Sequence, residues 1–335
     1  MRPVATQRLE NLDVLRAIAA LAVCLYHFRR PGEWEAMNWV INLGYLGVEV
    51  FFVISGFVIP LALASSRFNI IQAPRFLVSR FIRLYPAYAS AGLAAIALWY
   101  ASSMIPGFAG SDPKWSLGVL AANAFLLCDI VGQPWIIPVF WSLAIEAQYY
   151  CLLCVCFPLL SGSSGRARVG ILFLWILLPV LVGAGPTVFT WTALFAAGIV
   201  TWMRRARLLG AAPYYVLLAV ALVVHGNVVG WSGSVVGLAT AICIERGVPR
   251  ATGPWIFVGT VSYSLYLLHP LVGGRLMNLA SRSEMAIALY PLTVAAAVGL
   301  SVGVAWAFWR AIEKPSHAWA RRYLRGDQQP RAARS

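Results

Sequence analysis

Apolar residues run through this 335-residue chain in long blocks separated by short breaks that carry arginine. A helix needs about 20 apolar residues to cross a bilayer. Blocks approaching or exceeding that length fall at 12–30, 40–64, 84–104, 138–160, 169–185, 187–203, 212–227, 229–245, 255–273 and 285–309. The pattern predicts an all-α polytopic membrane bundle of about ten transmembrane helices. One more apolar stretch, residues 115–131 (WSLGVLAANAFLLCDIV), would invert every later span if it crossed the membrane. It is predicted instead to be a re-entrant or interfacial helix on the outer side.

The breaks orient the bundle. With a cytoplasmic N-terminus, about twenty Arg and Lys residues fall on the inner side and five on the outer side, namely Arg29, Arg30, Lys114, Arg275 and Arg282. Positive charge concentrates on the cytoplasmic side of membrane proteins, so both termini are predicted to be cytoplasmic. A single transmembrane domain over 1–315 and a basic cytoplasmic tail over 316–335, disordered at its end, are expected.

Composition agrees with this picture. The chain is 60% hydrophobic and only 11% charged, where a soluble domain carries about 25% charged residues. The net charge of +14 comes from clusters between the blocks, so it serves topology and predicts no nucleic-acid partner. Of the six cysteines, all but Cys128 lie inside apolar blocks. Cys151 and Cys154 have half the spacing of a zinc site but no second Cys or His pair, so no metal is expected. The first block contains Asp13 and Arg16 and lacks a small-residue cleavage site, so it is not expected to be a cleaved signal.

Charge inside such blocks is costly, about 2.5–3.5 kcal/mol for Arg or Asp at a helix centre, and marks functional candidates. In LDVLRAIAALAVCLYHF, eleven helical steps return His27 to within about 20° of Arg16, with Asp13 on the same face. That spacing fits a functional face. It fits equally an Asp13–Arg16 pair at one membrane surface and His27 in the opposite headgroup region.

Further polar groups lie on later blocks. GYLGVEVFFVISGF sets Glu49 among Gly44, Gly47 and Gly56, in a wall of small residues where a buried carboxylate needs a partner such as Arg16. At the next inner junction, SRFIRLYPAY places Arg80 and Arg83 one turn apart. Two guanidinium forks at that spacing suit a phosphate, and they suit equally a positive-inside anchor. FWSLAIEAQYY brings Ser142, Glu146 and Tyr150 into the bundle from its outer end, a cluster suited to a hydroxylated ligand. VGTVSYSLYLLHP puts Ser262, Tyr266 and His269 on one stripe, with His269 at the outer boundary. His225 and His317 have no evident company, and Glu313 in AIEKP resembles a helix end.

LDVLRAIAALAV with its histidine eleven residues after the arginine, GVEVFFVISGF, RFIRLYPAY, FWSLAIEAQYY, GTVSYSLYLLHP and IEKP follow one another over nearly the whole chain. This ordered set resembles the membrane acyltransferase family 3, in the stand-alone form without a C-terminal esterase-like domain. The resemblance implies an O-acyltransferase of the cell membrane that takes an acyl group, usually acetyl, from acyl-CoA. The acceptor it implies is a hydroxyl of a cell-envelope or exported carbohydrate or related molecule. It assigns catalysis to His27 and Arg16 and acyl-CoA binding to Arg80 and Arg83. Asp13, Glu49, Ser142, Glu146, Tyr150, Tyr266 and His269 are left as supporting or acceptor-binding candidates. Glu49 stands where many members have Asp, and Ala147 follows Glu146 where many have a second Glu. A neutral imidazole at His27 can act as general base or as acyl carrier. The competing reading is a transporter or flippase that uses the same intramembrane charges.

Overall fold

The computed structural model describes residues 4–30, 34–105, 115–162, 164–247, 253–282 and 288–325, and every regular element among them is helical. Helix α1 (Val4–Phe28) is followed by a short α2 (Glu35–Asn42), a 3₁₀ turn and α3 (Gly47–Ser65). Helix α4 (Ala73–Ser103) precedes two short pieces, α5 (Leu117–Ala124) and α6 (Cys128–Val131). Then come α7 (Trp141–Gly162), α8 (Gly165–Val182), α9 (Thr192–Arg205), α10 (Ala211–Val228), α11 (Trp231–Arg246), α12 (Gly253–Thr260), α13 (Ser262–Ala280), α14 (Tyr290–Phe308) and α15 (Lys314–Arg325).

Every predicted block contains a helix among its described residues, but not every one is a full crossing. Seven helices among the described residues are long and apolar enough to cross a membrane, and an eighth is added if α12 and α13 form one span bent by 72°. The predicted single block 255–273 is thus a broken helix. Helices α9 and α11 have 14 and 16 residues, or about 21 and 24 Å of rise. Helix α9 can be short because it is enclosed: Thr192 through Met203 are all buried. A Cβ on Gly56 of α3 would strike the Phe195 carbonyl, and one on Gly198 of α9 would strike that of Val53. Two reciprocal glycines therefore let these backbones touch, as small residues do between membrane helices.

Residues 115–131 form two helices of 8 and 4 residues, neither long enough to cross a membrane. Trp115 packs against Trp99 and Tyr100 near the end of α4. The carbonyls of Asn123 and Ala124 accept from Tyr88 and Tyr85, three to four turns back along that helix. Helix α5 therefore dips into the bundle beside α4, and the chain turns at Leu126, with φ of 58°, before α6. The buried Asn123 holds this re-entry: its amide donates to the Val119 and Pro134 carbonyls and accepts from the Ile136 N–H.

At the end where α3 and α7 finish and α4 and α8 begin, arginines satisfy helix C-termini. Arg168 donates to the carbonyls of Leu160 (2.8 Å) and Leu208 (2.7 Å), Arg205 to those of Ile244 and Glu245, and Arg75 to that of Leu324 (2.7 Å). Cations there complement the negative helix ends. The last helix does not stop at IEKP, contrary to expectation. A π-helical turn, Trp309–Glu313, carries it into α15, and the wider turn accommodates Pro315 without ending the helix. Residues 316–325 of the expected tail are helical, and 326–335 lie outside the described residues.

Candidate functional site

Two cavities sit end to end between α1, α3, α7 and α13. The larger, about 460 Å³, holds Asp13, Arg16, Arg80, Arg83, Ser142, Glu146, Tyr150 and Glu313 among its lining residues. The smaller, about 260 Å³, holds His27, Glu49, Tyr26, Tyr45, Trp141 and Trp191. The eleven residues from Arg16 to His27, about 16 Å of helix, carry α1 from one cavity to the other.

In the arginine-lined cavity, α1 and α4 bring Arg16 together with Arg80 and Arg83. Helix α4 begins at Ala73, so both of its arginines lie inside a continuous helix rather than at a junction. Arg16 Nη1 is 3.6 Å from Asp13 Oδ1. The Arg80 guanidinium lies over the rings of Phe76 (5.0 Å) and Tyr150 (5.6 Å). Arg83 Nε is buried without a hydrogen-bond partner among the described residues. A buried donor left open in a cavity is costly unless a ligand fills it. Glu146 is already engaged: its Oε1 accepts from Tyr150 OH (2.5 Å) and Ser55 Oγ (3.0 Å). Ser142, Glu146 and Tyr150 thus line the same cavity as the arginines. At the far rim Ser264 Oγ donates to Glu313 Oε2 (2.6 Å), and His317 Nε2 lies 3.5 Å from Glu313 Oε1. Lys314 and Arg321 add two more cations to the lining.

The second cavity is lined by His27, and His269 lies behind it. His269 is fully buried. Its Nδ1 is 3.1 Å from the Leu265 carbonyl, and its Nε2 is 3.1 Å from His27 Nδ1, which also lies 2.9 Å from the Val23 carbonyl. Carbonyls only accept, so both Nδ1 atoms carry their protons in the neutral pair. His269 Nε2 then accepts from His27 Nδ1, and the lone pair of His27 sits on Nε2. His27 itself is exposed to the cavity.

Glu49 is 5% exposed and does not pair with Arg16. Its neighbour is His225 of α10, fully buried, with Nε2 at 3.8 Å from Glu49 Oε2. A Cβ on Gly233 of α11 would collide with Glu49 Oε2 and approach His225 Nε2 to 2.6 Å, so that glycine makes room for the pair. Trp141 and Trp191 rings lie 5.6 Å apart, and Tyr26 and Tyr45 rings 5.8 Å apart. His225, His317, Lys314, Arg321 and the tryptophans escaped the sequence reading. His225 and Trp191 meet their partners only across helices remote in sequence, whereas His317 stands one turn from Glu313 and Trp141 adjoins Ser142, so their spacing was there to be read.

Residues 9–310 match the family model Acyl_transf_3, described as an acyltransferase domain. The chain is similar to the peptidoglycan O-acetyltransferase OatA of Listeria monocytogenes serovar 1/2a, at 30% identity over 151 residues, which cover 42% of this chain and 23% of that protein. It is likewise similar to the O-acetyltransferase OatA of Staphylococcus aureus strain NCTC 8325 / PS 47, at 31% identity over 160 residues, covering 45% and 24%. The matches thus span about a quarter of the length of these relatives. No solved structure matches the chain.

Proposed function

The chain belongs to the acyltransferase-domain family Acyl_transf_3, and from that premise we propose that it is a multi-pass membrane O-acetyltransferase. Its donor is acyl-CoA, with acetyl the acyl group, and its acceptor is a hydroxyl of a cell-envelope or exported carbohydrate. The observation that carries this reading is the pairing of an arginine-lined cavity with an adjoining cavity in which His27 presents an unprotonated Nε2.

Acyl-CoA brings phosphates and a thioester. Arg80 and Arg83, with the open Nε of Arg83, suit the phosphates, and Lys314 and Arg321 extend the cationic path at the rim. The positive-inside bias puts this cavity on the cytoplasmic side, where acyl-CoA is made. Arg16 stabilises the negative charge that develops on the thioester carbonyl. The acceptor occupies the second cavity, where the rings of Trp141 and Trp191 offer apolar faces and Glu49 a carboxylate, a combination suited to a sugar. The two relatives' acceptor, as their names have it, is in one case peptidoglycan, itself a carbohydrate polymer.

His27 acts as general base. Its Nε2 takes the proton of the acceptor hydroxyl as the oxygen attacks the thioester carbonyl, and the resulting imidazolium keeps both Nδ1 acceptors, Val23 O and His269 Nε2. The tetrahedral intermediate expels the CoA thiolate, which recovers the proton from His27. The products are an acetyl ester and free CoA. The test is CoA release from acetyl-CoA by purified protein in nanodiscs supplied with envelope glycans, with His27→Ala in parallel. Release that requires both acceptor and His27 is expected. Unchanged release by His27→Ala overturns the assignment, and glycan movement across the bilayer without CoA release favours a transporter.

A further inference from the structure

Among the described residues that line the two cavities, two are common to both: Val48 of α3 and Tyr266 of α13. His27 lines one cavity, and Arg16, Arg80, Arg83 and Arg321 line the other. An acyl group bound with its CoA beside the arginines therefore meets Val48 and Tyr266 before it meets His27.

Tyr266 is held in that position from several sides. Its hydroxyl lies 3.1 Å from the Val139 carbonyl and 2.7 Å from Ser142 Oγ, and Ser142 Oγ is itself 3.2 Å from that carbonyl, so two hydroxyls and one carbonyl form a closed triangle. Its ring stands edge-on to Phe51 at 5.9 Å and lies 6.0 Å from the ring of His269. The side chain is 5% exposed, and Ser142, which secures it, is 7% exposed. A buried tyrosine that swings aside gives up both hydroxyl partners and its packing against Phe51, so it has little freedom to move. The partition is therefore a fixed aromatic wall and not a loop that opens.

We propose that Tyr266, backed by Val48, is the residue that limits the acyl group to a short chain. The inference rests on the reading of the arginine-lined cavity as the donor site. An acyl-CoA enters that cavity with its acyl tail leading. For acetyl, one methyl group lies ahead of the carbonyl, so the carbonyl reaches the Tyr266–Val48 gap and comes within range of His27. A longer tail must pass the gap first. It then either presses on the pinned ring or fills the 260 Å³ cavity that the acceptor needs. The wall thus selects against length before chemistry, and it keeps the acceptor's cavity free of donor. Removing the ring opens a pocket beside the gap in which a longer tail can lie.

The test is calorimetric binding of CoA, acetyl-CoA and hexanoyl-CoA to the full chain in nanodiscs, all in the His27→Ala background so that no turnover intervenes. With the native Tyr266, hexanoyl-CoA is expected to bind about tenfold more weakly than acetyl-CoA, a discrimination that a closed apolar wall readily supplies. Tyr266→Ala is expected to bring the two within about threefold while CoA itself binds as before, and Tyr266→Phe, which keeps the ring, is expected to retain the discrimination. Retained CoA affinity also shows that each variant is folded; if Tyr266→Ala loses it, Tyr266→Leu takes its place. CoA binding without discrimination in the parent, or discrimination that survives Tyr266→Ala or Tyr266→Leu, overturns the inference alone. No CoA binding to the parent overturns the donor site and this inference together.

Discussion

Nδ1 of His27 and Nε2 of His269 lie 3.1 Å apart although 242 residues separate them in sequence. The contact joins α1 to α13 and fixes which nitrogen of His27 is free. Loss of His269 should therefore damage chemistry more than binding. His269→Ala is expected to lower kcat for CoA release on the order of 10²-fold, with the KM for acetyl-CoA little changed. His269→Gln, whose amide oxygen can accept from Nδ1, should retain most of the rate. Equal losses in the two variants would show that His269 only fills space.

The open Nε of Arg83 makes a prediction about which part of the donor this arginine holds. Arg83→Ala is expected to weaken CoA binding by about tenfold or more, and Arg83→Lys to rescue it only partly, since an ammonium lacks the guanidinium fork. Pantetheine, which has no phosphate, should bind parent and variants alike in calorimetry. A matched loss for pantetheine would move Arg83 away from the phosphates.

Gly233 leaves the room that the buried Glu49–His225 pair occupies. Gly233→Ala should cost about 1–3 kcal/mol by overpacking, seen as a lower unfolding temperature in detergent. His225→Ala strands the Glu49 carboxylate in a buried site and should destabilise as well. In a Glu49→Gln background the His225 substitution should cost less, because no charge is left stranded. Additive losses in the double variant would mean that the two residues do not interact.

Where α3 crosses α9, Gly198→Val places a branched side chain against the Val53 carbonyl and the Gly56 backbone. Backbone cannot step aside as a side-chain tip can, so this substitution should abolish folded protein in size-exclusion chromatography. Gly299→Val on α14, where nothing lies within 4 Å of the added Cβ, should be tolerated.

The residues that carry the family resemblance were legible as short motifs, and with them the expectation that Arg16, His27, Arg80 and Arg83 mattered. Helical periodicity put Arg16 and His27 on one face, and the structure keeps them on that face in two adjoining cavities. What could not be read was partnership between distant helices: Glu49 faces His225 instead of Arg16, Glu146 also holds Ser55, and His269 meets His27.

The division has a physical cause. Whether a stretch is helical, apolar enough for lipid, or costly for its charge depends on neighbours within a few turns, so the blocks, their basic breaks and the suspect charges can be read along the chain. Which charges meet depends on how helices pack. That is decided by contacts such as Gly56 against α9, Gly233 against Glu49, and the break between α12 and α13 that sets Gly259 on the Asp13 backbone. Those contacts join positions far apart in sequence, so only the packed bundle reveals that the arginines and His27 line separate cavities with Tyr266 between them.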